Sequence, residues 1–159
     1  PLGGSNMDLW ISRLEDLKLP EFYLMDREYP PPEKPKYIEI AKDMEERGCT
    51  AWITKRKELE NYIHPDVIKS EYSNYAGTGD DFEDVPFLFA QAVHEVSGSS
   101  IPWDEVVQDK EKLGKKTSQA KRRLNTEFVE RMTPKLLTEI DTNNEIRSWL
   151  KEIGLSLRS

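Results

Sequence analysis

Between residues 22 and 54 the hydrophobic pattern changes period twice, and this constrains the fold more than any other feature. F-Y-L-M-D at 22–26 is a compact apolar run, which reads as a buried strand. Pro30-Pro31-Pro32 follows and forces an extended loop. Residues 33–47 set Tyr37, Ile40, Ala41 and Met44 on one helical face, with Gly48 as the stop. C-T-A-W-I-T at 49–54 then reads as a second strand. Strand, helix and strand within about 30 residues make a βαβ unit, whose strands run parallel through a right-handed crossover. Ligands of such sheets bind beyond the carboxyl ends of the strands. Asp26 and Glu28 lie at one such end, and T-K-R-K-E-L-E-N-Y-I-H-P, from Thr54 to Pro65, begins at the other. The two charged clusters are therefore expected to be neighbours.

The flanking chain reads mainly as helix. Leu9, Trp10, Leu14 and Leu17 give residues 8–19 near-helical spacing, ended before Pro20. Residues 71–84 read as a polar loop with Gly77, Gly79 and the acids Asp80, Asp81, Glu83 and Asp84. Asp84-Val85-Pro86 is a helix start, a capping acid followed by proline in the first turn. The spacing predicts helices over 86–96, 103–113 and 116–132, another begun by Thr133-Pro134, and a last one from Asn144 to Ile153, stopped by Gly154. The organisation is a tag remnant at 1–6, a βαβ segment at 7–70, and an acidic loop with a helical subdomain at 71–159.

Composition removes several classes. With 36% hydrophobic and 33% charged residues over 159 positions, the chain suits one polar domain with a modest core. No run approaches the roughly 18 apolar residues of a membrane span, so no membrane partner is expected. The lone Cys49 leaves no internal disulfide, and a cytoplasmic location is the default. Pro1 to Asn6 look like a protease scar and linker, so Met7 need not be the natural start and the natural protein could be longer. A net charge of −7 disfavours nonspecific polyanion binding. It leaves nucleic acid open where a metal neutralises the carboxylates.

The D-x-E at Asp26 and Glu28 sets two carboxylates on one side of an extended chain, about 7 Å apart. Hard oxygens at that spacing suit Mg²⁺ or Mn²⁺; a solvated strand end is the plainer alternative. Asp84 fits an N-cap, a role compatible with metal binding because its second oxygen stays available. On a helix Glu58 and Glu60 point about 200° apart, so at most one faces the site. Lys55, Arg56, Lys57 and Glu58 read as solvated, with Tyr62 packing. The basic run 110–123 reads as a solvated face that can also grip phosphate or steady a leaving oxygen; it has no aromatic interleaving, so single-strand stacking is not indicated. His64 and His94 read as packing or capping groups, and Cys49 has no partner base. Gly77-Thr78-Gly79 lacks the G-K-[ST] of a phosphate loop, so no nucleotide is expected on this chain.

F-Y-L-M-D-R-E, then A-W-I-T-K-R-K-E-L-E-N-Y-I-H-P, F-E-D-V-P and a late lysine-rich helix together resemble the Toprim (topoisomerase–primase) domain of the overcoming-lysogenization-defect (OLD) nucleases. The likeness runs from about residue 20 to the C-terminus. It implies a partial Toprim-like Rossmannoid, an α/β fold with a short parallel sheet followed by a helical C-terminal subdomain. It further implies an Mg²⁺- or Mn²⁺-dependent DNA endonuclease with a two-metal site, joined to an ATPase, with a place in anti-phage defence. Asp26 and Glu28 match the D-x-D pair, Glu60 the glutamate before N-Y, and Asp84 is the candidate for the later metal-binding acid. The late catalytic lysine falls at Lys121 or Lys116. Lys55, Arg56, Lys115, Lys116 and Arg122 are the candidates for contact with DNA.

The family's first glutamate, in a glycine-rich turn after an earlier strand, has no counterpart before residue 20; Glu15 sits in a helical pattern. The resemblance thus assigns that glutamate and the ATPase to upstream chain or a separate subunit. The alternative is a catalytically incomplete module for regulation, dimerisation (a homodimer included) or partner binding. An acidic DNA mimic fits poorly, because the basic run would interrupt its surface.

Overall fold

The computed structural model describes residues 20–157; the helix expected at 8–19 lies outside them. Strand β1 (Phe22–Met25) pairs in parallel with β2 (Thr50–Ile53), Phe22 opposite Thr50 and Met25 opposite Ile53. Helix α1 (Ile38–Glu46) connects them. It begins later than its apolar face suggested, because Pro35 biases Lys34 away from helical backbone and its carbonyl accepts from the Ile38 N–H only as the helix starts. Gly48 ends the connection at φ +85°, a conformation that favours glycine.

The two faces of this small sheet are covered differently. Tyr23, Met25, Ala51 and Ile53 pack with Ala41 and Met44 of α1. On the other face Phe22 stacks on Trp52 at 5.5 Å between ring centroids, and Trp52 on Trp149 at 6.2 Å. Leu24 is 37% exposed there, so β1 is half-covered where a fully buried strand was expected.

The rest is helical, and the molecule is an α/β chain with a two-stranded parallel sheet and mostly helices. A 3-10 turn (Leu59–Tyr62) and α2 (Pro65–Lys69) follow β2. Asp84 caps α3 (Val85–Val96), its Oδ1 accepting from the Phe87 N–H. Helices α4 (Trp103–Gln108) and α5 (Lys110–Arg123) stand where helices were expected over 103–113 and 116–132, so the break falls at Asp109 and not at 114–115. Asp109 divides them: its backbone is extended, and its Oδ1 accepts from the N–H groups of Glu111 and Lys112. A π-helical turn (Leu124–Phe128) and a 3-10 turn (Val129–Arg131) continue α5.

Thr133 caps α6 (Pro134–Ile140), and α7 (Glu145–Ser156) runs through Gly154, which was expected to stop it. Glycine inside a helix costs about 1 kcal/mol relative to alanine, which weakens a helix without ending it. The main core joins Ile63, Val67 and Ile68 to Phe89, Leu124 and Phe128, so residues before and after the polar loop share it. No helix among the described residues is long and apolar enough to cross a membrane.

Candidate functional site

The segments leaving the two strands run side by side. The Thr54 N–H donates to the Met25 carbonyl, and the Arg27 N–H donates to Thr54 Oγ1 at 2.9 Å. The Glu28 N–H donates to the Lys57 carbonyl at 2.8 Å. The Leu59 N–H donates to Asp26 Oδ1 at 3.0 Å. Thr54 is almost wholly buried at this seam. The parallel pairing thus brings the D-x-E and the stretch after β2 together at the carboxyl edge.

Glu28 has φ +68°, a left-handed conformation that costs of order 1 kcal/mol for a side chain of this kind. It turns Glu28 into a cleft of about 410 Å³ that also receives Lys57, Glu58, Asp84, Lys110 and Lys121. Lys121 on α5 donates to Glu58 Oε2 at 2.5 Å. Lys57 donates to Asp84 Oδ2 at 2.8 Å, and Lys36 to Glu28 Oε1 at 3.3 Å. Glu60 is buried beside the cleft, accepting from Asn125 of the π-helical turn at 2.8 Å. Asn61 secures the acidic loop by donating to the carbonyls of Asp80 and Glu83.

Burial raises the Asp26 carboxyl above its usual range, and the charges of Glu60 and Glu28 add to that. The Leu59 N–H and Lys121 pull the other way and do not cancel it. Burial likewise raises Glu58, against the pull of Lys121. Burial works to lower Lys121, but its bond to Glu58 and the fields of Glu60, Glu58 and Asp26 outweigh this and raise it. Asp26, Glu58 and Glu60 therefore act on one another around the Lys121 ammonium group.

Of the residues marked in the sequence, Glu28, Asp84 and Lys121 line the cleft, and Asp26 and Glu60 lie beside it, each within the field of Lys121. Lys115 and Lys116 share α5 with Lys121 but do not line the cleft; Lys115 pairs with Glu111. Lys55 and Arg122 are exposed away from it.

Three expectations of solvated residues are corrected, the first at Lys57, whose side chain is 20% exposed and paired with Asp84. Arg56 is 4% exposed rather than solvated: it donates to the carbonyls of Asn61, Gly79 and Ile140 and pairs with Asp81, so its guanidinium is not offered to DNA. Glu58 is buried in the cleft wall rather than at the surface. The helical angle that separated Glu58 from Glu60 does not apply, because Glu58 is the extended residue preceding the 3-10 turn. Its position before L-E-N-Y, with Asn61 Oδ1 accepting from the Glu58 N–H, is the local signal for that turn start.

Among the described residues, no three of His, Cys, Asp and Glu are grouped to hold a metal ion by themselves. Mg²⁺ commonly uses one or two carboxylates and completes its shell with waters and substrate phosphate. The hard-oxygen donors Asp26, Glu28 and Asp84 fit that mode in kind. Asp26 Oδ2 has no hydrogen-bond partner among the described residues. No family model matches the sequence, and no curated protein or solved structure matches it.

Proposed function

We propose that the cleft is the later half of a Toprim-type, divalent-cation-dependent DNA endonuclease centre of the OLD class. The observation that carries this is the convergence of Asp26, Glu28, Glu58 and Asp84 with Lys121 at the carboxyl edge of a parallel βαβ unit. That edge is where open α/β sheets bind ligands.

Asp26, Glu28 and Asp84 are the residues that would hold Mg²⁺ or Mn²⁺, with Glu60 supporting from behind. A bound cation of this kind supplies charge neutralisation and an activated water for phosphodiester hydrolysis. Lys121 is placed to neutralise charge on the phosphate or the departing oxygen as it develops. Glu58 holds Lys121 by one ion pair and fixes its direction. Asn125 holds Glu60. The acidic loop, tied down by Asn61, carries Asp84 to the cleft mouth. The resemblance assigns the first glutamate and an ATPase to upstream chain or a partner subunit, with anti-phage defence as the biological setting.

Nicking of supercoiled plasmid tests this. The expected result is Mg²⁺- or Mn²⁺-dependent nicking that Asp26→Ala removes; undiminished cleavage by that variant would refute the assignment. A second reading is a catalytically incomplete module that binds a partner or a second copy. It draws on the lysines that already neutralise the acids: Lys36 on Glu28, Lys57 on Asp84 and Lys121 on Glu58. It predicts a chain that stays inactive when the missing glutamate is supplied in trans.

A further inference from the structure

The cleft has a second half that the hydrolytic reading leaves unused. Among the charged groups the cleft is also lined by Pro86 and Phe87 of α3 and by Leu113 of α5. Phe87 is braced from behind by Trp103, edge to face, with centroids 5.4 Å apart. The lining therefore includes one aromatic ring, braced by its contact with Trp103.

The lysines differ in availability. Lys57 and Lys121 are paired with Asp84 and Glu58. Lys110, at the first turn of α5, is exposed and has no carboxylate partner among the described residues. Gly114 lies between them on the same helix wall. A Cβ built there meets nothing within 4 Å, so packing within the chain does not require this mid-helix glycine. It leaves the wall low where a ligand would lie.

We infer that this cleft seats one unpaired nucleotide of a DNA single strand, with its base against Phe87 and its phosphate on Lys110. The volume of about 410 Å³ lies within the roughly 300–1,000 Å³ of small-molecule sites. An aromatic face beside a free cation is the pairing that single-strand sites use. A paired base inside a duplex cannot present its face to Phe87, so the cleft discriminates against duplex. Spatial interleaving of aromatic and basic groups arises here between α3 and α5, although α5 alone has none. The inference rests on the cleft being a phosphodiester site and adds the form of the strand it takes.

The test is fluorescence anisotropy with labelled dT12 and a blunt duplex of equal length, in EDTA and low salt. Binding tighter for dT12 is expected. Phe87→Leu should weaken it about tenfold, as loss of one stacked base does. Lys110→Gln should lower the salt slope by about 0.7. Gly114→Leu should raise the melting temperature, since it relieves a mid-helix glycine, while weakening dT12 binding by filling the cleft. That variant separates lost binding from lost folding. Absent dT12 binding, equal or tighter duplex binding, or dT12 affinity indifferent to both Phe87→Leu and Gly114→Leu overturns the inference. Because EDTA removes hydrolysis, Phe87-dependent binding without any cleavage counts against the nuclease reading alone. Metal-dependent cleavage with Phe87-independent binding counts against this one alone.

Discussion

Lys121 and Arg123 lie two residues apart on α5 and face opposite worlds. The Arg123 guanidinium sits 5.4–5.6 Å from the ring centroids of Tyr72, Phe89 and Phe128. It donates to the Tyr72 hydroxyl and pairs with Glu71 and Glu127, whose side chains are 36% and 47% exposed. Lys121 reverses the arrangement: its own side chain is 45% exposed, and its partner Glu58 only 7%. On the Arg123 side the acids reach out to water, and the bond from Arg131 holds Glu71 below the usual carboxylate range. On the Lys121 side Glu58 and Glu60 are buried and Asp26 is half-buried, and burial pushes Asp26 and Glu58 up. One face of the helix uses charge to finish a core. The other keeps buried and half-buried carboxylates close to one another, a pattern expected where a site works against stability.

That contrast can be broken by substitution. The largest effect is expected in the aromatic core, where Phe89 is wholly buried. Phe89→Ala should destabilise the chain by about 3–5 kcal/mol in chemical denaturation, and a loss under about 1 kcal/mol would show that the rings do not form a packed core.

Lys121→Met comes next. It strands the buried Glu58 without its cation and should cost about 2 kcal/mol, the scale of a lost charged hydrogen bond. An unchanged denaturation midpoint would mean that the pair contributes nothing to the fold.

Asp26→Asn should act in the opposite direction. The amide keeps an acceptor for the Leu59 N–H and removes a charge that burial and Glu60 disfavour. A gain of about 1 kcal/mol at neutral pH is expected, in the range of relieved functional-site charges. The pH dependence of that gain sharpens the comparison further. A carboxyl raised in the folded state contributes stability below its unfolded pKa and loses it as pH rises through the folded value. The advantage of Asp26→Asn should therefore be full at neutral pH and shrink as pH falls through the raised range of Asp26 toward the ordinary one. An advantage constant over that interval would contradict the burial argument.

The helical core and the edge of the sheet were legible in the sequence to different depths. F-Y-L-M and T-A-W-I announced two short strands, and Asp84-Val85-Pro86 and Thr133-Pro134 announced helix starts, because caps and apolar runs are local signals. The βαβ rule also foresaw that Asp26 and Glu28 meet the chain after Thr54. Arg56 and Glu58 were misread because their burial depends on distant groups: the carbonyls of Gly79 and Ile140 for one, Lys121 for the other. No local pattern carries those partners. The split at Asp109 was missed although aspartate is a favoured N-cap and a poor helix-interior residue, because the apolar spacing was read across it. The wall at Phe87 is tertiary as well, since it faces α5 only once α3 and α5 have packed.

On the proposed function, Asp26, Glu28 and Asp84 are kept for a divalent cation. Calorimetric titration of the chain with Mn²⁺, repeated on Asp26→Asn, tests it most directly. Saturable binding is expected in the parent chain, and the variant should lose it while its melting temperature rises. Absence of heat in the parent chain, or equal binding by the variant, contradicts it.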